Sequence, residues 1–113
     1  MIGPKKRGYW SGTGSRNGGR KSHQHLLPDT SYSVVQPFTD YDGDVHSVGE
    51  TWAYRGYRFL PYEDGLSLFV SLSNDDEWHI RMQWRPEEQG EILDNLEAYV
   101  QPASTIMTGE NLV

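Results

Sequence analysis

Between Trp52 and Trp84 the large apolar side chains recur with a period of two, and the residues that interrupt them are turn formers. That spacing belongs to strands with one buried face, since a helix would need apolar residues three and four apart. Tyr54-Arg55-Gly56-Tyr57 reads as a two-residue hairpin loop with Gly second, Tyr62-Glu63-Asp64-Gly65 as a four-residue turn, and Ser73-Asn74-Asp75-Asp76-Glu77 as a five-residue turn. Folded at those points, Tyr54 faces Tyr57 and Trp52 faces Phe59. Phe59 then faces Leu68, Tyr57 faces Val70, Val70 faces Ile80, Leu68 faces Met82, and Leu72 faces Trp78. Every one of these side chains falls on one face, and a slip of one residue would send a whole strand's set to the other.

After Trp84 the period changes. Pro86 suits a first helical position, Glu87 and Glu88 suit the positive end of a helix dipole, and Ile92, Leu93, Leu96, Tyr99 and Val100 make one stripe. The spacing predicts a helix over residues 86–100, regular from Glu91 because Gly90 weakens its first turns, lying over the aromatic face of the sheet. A further strand is expected near Tyr32 to Phe38. The fold class is mainly β (α+β): a small antiparallel SH3-like open barrel or bent sheet of about five strands, closed by one C-terminal helix. The chain's 113 residues suit one domain, and 4 Trp, 7 Tyr and 3 Phe supply the apolar area that so small a core needs.

Charge divides the chain. Residues 1–25 hold Lys5, Lys6, Arg7, Arg16, Arg20 and Lys21 and no acid; the remainder holds all 16 acids against four arginines. A +6 segment thus precedes a −12 body, within an overall −6. The basic segment is rich in Gly and Ser and has no apolar periodicity, so residues 1–28 are expected to be a disordered tail, residues 29–101 the domain, and residues 102–113 a frayed end. The tail either reaches nucleic acid, extends into solvent without a role, or lies against its own acidic body. His23 and His25 have a metal-like spacing without a third ligand. Without Cys there is neither disulfide nor thiolate chemistry, and no charged leader is followed by a long apolar run. A cytoplasmic protein without cofactor or membrane contact is expected.

The segments Phe38-Thr39-Asp40-Tyr41-Asp42-Gly43, Gly49-Glu50-Thr51-Trp52, Phe59-Leu60-Pro61-Tyr62-Glu63-Asp64-Gly65 and Ile80-Arg81-Met82-Gln83-Trp84-Arg85 resemble a small bacterial family of unknown function, over about residues 31–100. The resemblance implies a compact β-rich domain and no assigned activity. Phe38 to Gly43 is also similar to the first strand and loop of SH3 domains, which implies proline-rich peptide binding; the helix expected where SH3 domains end in a strand departs from that pattern.

Four groups of side chains carry candidate chemistry. Asp40, Asp42 and Asp44, followed by His46 and Glu50, offer oxygen ligands to a hard cation, but Val45 stands where a calcium loop of the EF-hand kind needs Gly and Thr51 where it needs Glu. Glu63, Asp64, Asp75, Asp76 and Glu77 lie at turn tips, where a catalytic carboxylate lacks shelter. Ser67 and Ser71 have His79 nearby, with Ser71 expected opposite it, but no glycine elbow or orienting acid accompanies them. On the polar face of the sheet, Arg58, Phe69 and Arg81 form a row with His79 and Gln83 beside it, where two guanidinium groups around an aromatic ring can receive a carboxylate or phosphate. The alternative is that the arginine stems cover an outward Phe.

The function expected from these features is a non-enzymatic acidic interaction domain with a basic protein partner, of inhibitor or immunity type. A nucleic-acid accessory protein using the basic tail and a metal-dependent ligand binder or small enzyme using the Asp40–Glu50 loop are the alternatives.

Overall fold

The computed structural model describes residues 1–13 and 17–103. Its strands are β1 (Ile2–Lys6), β2 (Gly18–Gly19), β3 (Thr30–Val34), β4 (Phe38–Thr39), β5 (Val45–His46), β6 (Thr51–Leu60), β7 (Gly65–Ser71), β8 (Asp76–Gln83) and β9 (Val100–Pro102), with two short helices, α1 (Gly90–Asp94) and α2 (Leu96–Tyr99), before β9. The main sheet runs β1-β8-β7-β6-β3-β9, with β2 beside β6, and β4 and β5 make a separate small ladder. All pairings are antiparallel. The result is a bent, open sheet closed by C-terminal helix, as the sequence pattern predicts.

The central strand differs from the expectation in one instructive way. No hairpin forms at Arg55-Gly56; β6 runs straight through, and its pairing with β7 shifts between Tyr54 and Gly56. A bulge adds one residue and so inverts the alternation of side chains, which a two-residue loop does as well. Trp52 and Tyr54 before the bulge, and Tyr57 and Phe59 after it, all pack into or against the core. Gly56 serves close approach rather than a turn: a Cβ there would stand 2.2 Å from the Gly19 carbonyl oxygen of β2.

The remaining turns form near the expected places but one or two residues earlier, and the ladders are offset by two residues. Phe59 pairs with Leu66 and Tyr57 with Leu68, while Leu68 pairs with Ile80, Leu66 with Met82 and Val70 with Trp78. An offset of two keeps every side chain on its face. Leu72 alone leaves the expected set, lying beyond the end of β7 and 47% exposed.

The predicted helix is broken. Residues 86–89 are turns, α1 stops at Asn95, whose backbone (φ −130°, ψ 36°) is not helical, and Val100 opens β9 beside β3. The Asn95 side chain donates to the Glu91 carbonyl (2.9 Å), as a local bond that competes with helix continuation. Leu93, Leu96 and Val100 nevertheless reach the core fully buried. Burial of each leucine is worth about 1.5–3 kcal/mol, enough to seat two helices too short to persist alone.

The basic segment is not the disordered tail expected over residues 1–28. β1 pairs with β8, β2 pairs with β6, and Leu26 is fully buried in the core. The Tyr54 hydroxyl donates to the Lys21 carbonyl (2.6 Å), and the Tyr32 hydroxyl bridges the Leu27 amide (2.7 Å) and the His25 carbonyl (3.1 Å). Order here comes from backbone bonds to buried tyrosines and from single large residues, which leave no periodic trace in a Gly- and Ser-rich sequence. At the other end, Ala103 donates to the Ser31 carbonyl (3.0 Å); residues 104–113 lie outside the described residues. Among the described residues no helix is long and apolar enough to cross a membrane.

Candidate functional site

The register of β6, β7 and β8 aligns Arg58, Ser67 and Arg81 across three strands and sets Phe69 opposite His79. The row expected through Phe69 therefore runs through Ser67, a consequence of the two-residue offset, and Phe69, further along β7, is roofed. Trp10 stacks on Phe69 (centroids 6.0 Å, planes 9° apart) and touches His79 (5.2 Å), leaving Phe69 1% exposed and outside the main core. The Arg58 guanidinium lies 5.7 Å from the Phe69 ring and donates to Thr13 Oγ1 (2.8 Å). Arg81 turns away to Asp42, with Nε 3.1 and 3.2 Å from the two carboxylate oxygens, and covers Tyr41. Gln83 donates to the Glu63 carbonyl. Burial, together with Arg81 and Arg58, pushes the His79 pKa down to about 4, so it is neutral at pH 7, and it is hydrogen-bonded to Ser67. Ser71, expected opposite His79, instead bonds Arg55 (2.8 Å) and the Asp76 carbonyl (2.6 Å).

Beyond the roof, Arg81 and Gln83 reach an open groove of about 360 Å³ whose walls include Tyr41, Tyr62, Leu60 and Arg85. Tyr62 is fully exposed and Arg85 pairs with Asp64 (3.1 Å).

The acidic loop does not converge on a common point. Asp40 is buried, and its Oδ1 accepts the amides of Asp42 and Asp44 (both 3.0 Å). Its Oδ2 bonds His46 Nε2 (2.8 Å) and the Met1 amine (3.2 Å), while Asp44 also pairs with that amine. His46 Nδ1 meets Glu50 Oε2 (2.6 Å), and Glu50 accepts the Trp52 indole N–H (3.0 Å). Burial pushes the His46 imidazole down, but the bonds and charges of Glu50 and Asp40 outweigh it and hold the pKa above its ordinary value. Burial likewise opposes ionisation of Asp40, but bonds from His46 and the Asp44 amide leave its pKa lowered. The cluster is an imidazolium between two carboxylates that staples β4 and β5 to the start of β6. Among the described residues, no group of three or more His, Asp or Glu is arranged to hold a metal ion. His23 packs on Tyr57 (4.9 Å) and His25 Nε2 bonds the Val100 carbonyl (2.6 Å), so the two imidazoles serve separate partners.

The helical segment carries the other conspicuous surface. Glu87, Glu88, Glu91, Asp94 and Glu97 are all exposed, residues 86–100 contain no Lys or Arg, and none of the five joins an ion pair among the described residues. Asp94, which accepts the Trp84 indole N–H (2.8 Å), stands between a cleft of about 410 Å³ shared with Gln24 and Glu97 and one of about 300 Å³ shared with Trp84 and Glu91.

From the sequence, His46 is named only as a follower of the acidic loop and Trp10 not at all, while Glu77, expected as an unsheltered turn-tip acid, lies within β8 and is fully buried. Trp10 is the one Trp of the basic segment, and it was the available signal that the segment docks.

Comparison with known proteins places the chain. No curated protein matches it. A solved structure described as an integron cassette protein from the mobile metagenome of Vibrio cholerae is similar, at 35% identity and a TM-score of 0.69, over 73% of this chain and 90% of that one. The family model described as Domain of unknown function (DUF3601) matches residues 17–103, and the chain belongs to that family.

Proposed function

We propose that the protein is a non-enzymatic interaction domain that docks a basic protein on the acidic face of its C-terminal helical segment. The observation that carries this reading is how the chain spends its own cations. Arg7, Arg20 and Arg55 all go to Asp29, Arg81 to Asp42, and Arg85 to Asp64, while none of the five acids of residues 87–97 joins an ion pair among the described residues. A single-sign surface of this kind steers and orients a partner of opposite charge, and the cleft between Asp94 and Glu97, lined by no Lys or Arg, suits such a side chain entering from that partner. An inhibitor or immunity-type protein that masks a basic protein is the form of this reading that best suits the charge.

The sheltered polar groups speak for binding rather than catalysis. Asp40, His46 and Glu50 spend their bonds on one another and on the backbone, and His79 lies beneath Trp10. The basic segment reads as a cis partner of the acidic body rather than a nucleic-acid arm, because Arg7 and Arg20 are engaged by Asp29.

The experiment is capture from the native host with the wild-type chain and with a variant carrying Glu87→Gln, Glu88→Gln, Glu91→Gln, Asp94→Asn and Glu97→Gln. Exposed carboxylates contribute little to stability, so the variant keeps its fold. The expected result is a basic protein retained by the wild type, released by salt and lost from the variant. Equal capture by the variant, or loss on nuclease treatment, contradicts the reading.

A further inference from the structure

The basic segment sits on the domain as a ligand sits on a receptor. β1 adds to the free edge of β8, and all five of its residues are exposed. Its basic end meets the acidic tip of the β7–β8 hairpin: Lys5 pairs in register with Glu77 and Lys6 with Asp76, and the Arg7 amide donates to the Asp75 carbonyl (3.0 Å).

The anchor is Glu77. This carboxylate is 0% exposed, and the four hydrogen bonds it accepts all come from the segment: the amides of Gly8 (2.9 Å), Trp10 (2.8 Å) and Ser11 (2.8 Å), and the Ser11 hydroxyl (2.7 Å). A buried carboxylate without such donors is costly, so the domain holds a socket that only a correctly turned backbone fills. Trp10 then lies flat on Phe69 beside His79. The turn is selective, because Gly8 has φ +87° and a Cβ at Gly12 would stand 2.5 Å from the Gly8 carbonyl oxygen. The matched family unit begins at residue 17, after this segment.

We propose that the β8 edge, Glu77 and the Phe69/His79 platform form a peptide-recognition site, occupied in cis by residues 1–13. In trans it takes a segment of another protein with the same chemistry: an extended basic stretch running into Gly-x-Trp-Ser-Gly. Strand addition supplies the backbone bonds, and Glu77 with Phe69 reads the turn. The site is separate from the helical acidic face and does not depend on it.

The test uses the full chain carrying Trp10→Ala, which loosens the cis occupant, and a fluorescein-labelled peptide of residues 1–13 followed by anisotropy. The wild type should bind the peptide at least tenfold more weakly than Trp10→Ala, and adding Glu77→Gln to that variant should lower its affinity at least tenfold. A Trp10→Ala protein with a native-like amide spectrum that binds no better than wild type overturns the proposal, as does binding indifferent to Glu77→Gln. Should the wild type form a dimer by exchange of residues 1–13, the occupant is a second copy and the proposed partner falls. Native-state hydrogen exchange on the wild type guards against a variant that fails to fold. The Gly8, Trp10 and Ser11 amides should exchange at least tenfold faster than those of β7, and exchange at the rate of β7 makes the segment an integral strand.

Discussion

His46 makes the clearest demand that a single residue places on this fold. Both ring nitrogens meet carboxylates, and its pKa is held above the ordinary imidazole value. A group whose pKa is raised on folding stabilises fully below its unfolded value, about 6.5, and loses that contribution as pH rises through the folded value. His46→Gln should therefore cost about 3–5 kcal/mol at pH 6, the range for breaking a buried pair, and clearly less at pH 9. Urea unfolding at the two pH values measures it, and an equal cost at both contradicts the charged assignment. Gly56 makes a steric demand instead, with Gly19 backbone 2.2 Å from where its Cβ would be. Gly56→Ala should destabilise by about 1–3 kcal/mol, as overpacking does, and a neutral result would mean that β2 does not press on β6. The sequence carried both residues, but not their roles. An inversion of the alternation at Arg55-Gly56 is visible in the spacing of Tyr54 and Tyr57, and a two-residue loop and a bulge produce it equally.

At the scale of elements, faces were legible and partners less so. Burial on one side selects parity, which is why Leu68, Val70, Ile80 and Met82 were placed on the correct face although each pair was off by two. Exact pairing depends on where a turn closes, and Asp76 was expected in the turn but opens β8. Its carboxylate accepts the Leu72 and Ser73 amides (2.9 and 3.1 Å), closing the loop earlier than composition suggests. The helical stripe was legible for the same reason as the strand faces: Leu93, Leu96 and Val100 reach the core whether or not the helix is continuous. Leu96→Ala should cost about 2–5 kcal/mol by urea unfolding, through the cavity left beneath α2. A cost below about 0.5 kcal/mol, the range of neutral surface changes, would show that α2 does not seal the sheet.

At the scale of the whole molecule, charge organises the account. The division between a basic segment and an acidic body was plain in the sequence, and it hid two different fates. Arg7 and Arg20 of the segment answer Asp29, whereas none of the acids of residues 87–97 joins an ion pair among the described residues. Strand parity set Arg58 and Arg81 in one row but put Phe69 where Ser67 stands, and the roof over Phe69 was not legible, because Trp10 lies outside any periodic pattern. Attraction to the helical face is between exposed charges, so it should weaken as the Debye length falls from about 10 Å at 0.1 M salt to about 3 Å at 1 M. The most direct measurement of the central claim is an amide NMR titration of the full chain with a decalysine peptide as a stand-in for a basic protein surface. The account predicts salt-sensitive shifts concentrated at residues 84–98 and abolished by the five-site neutralised variant; shifts centred on residues 40–50, or spread evenly over the acidic body, would contradict it.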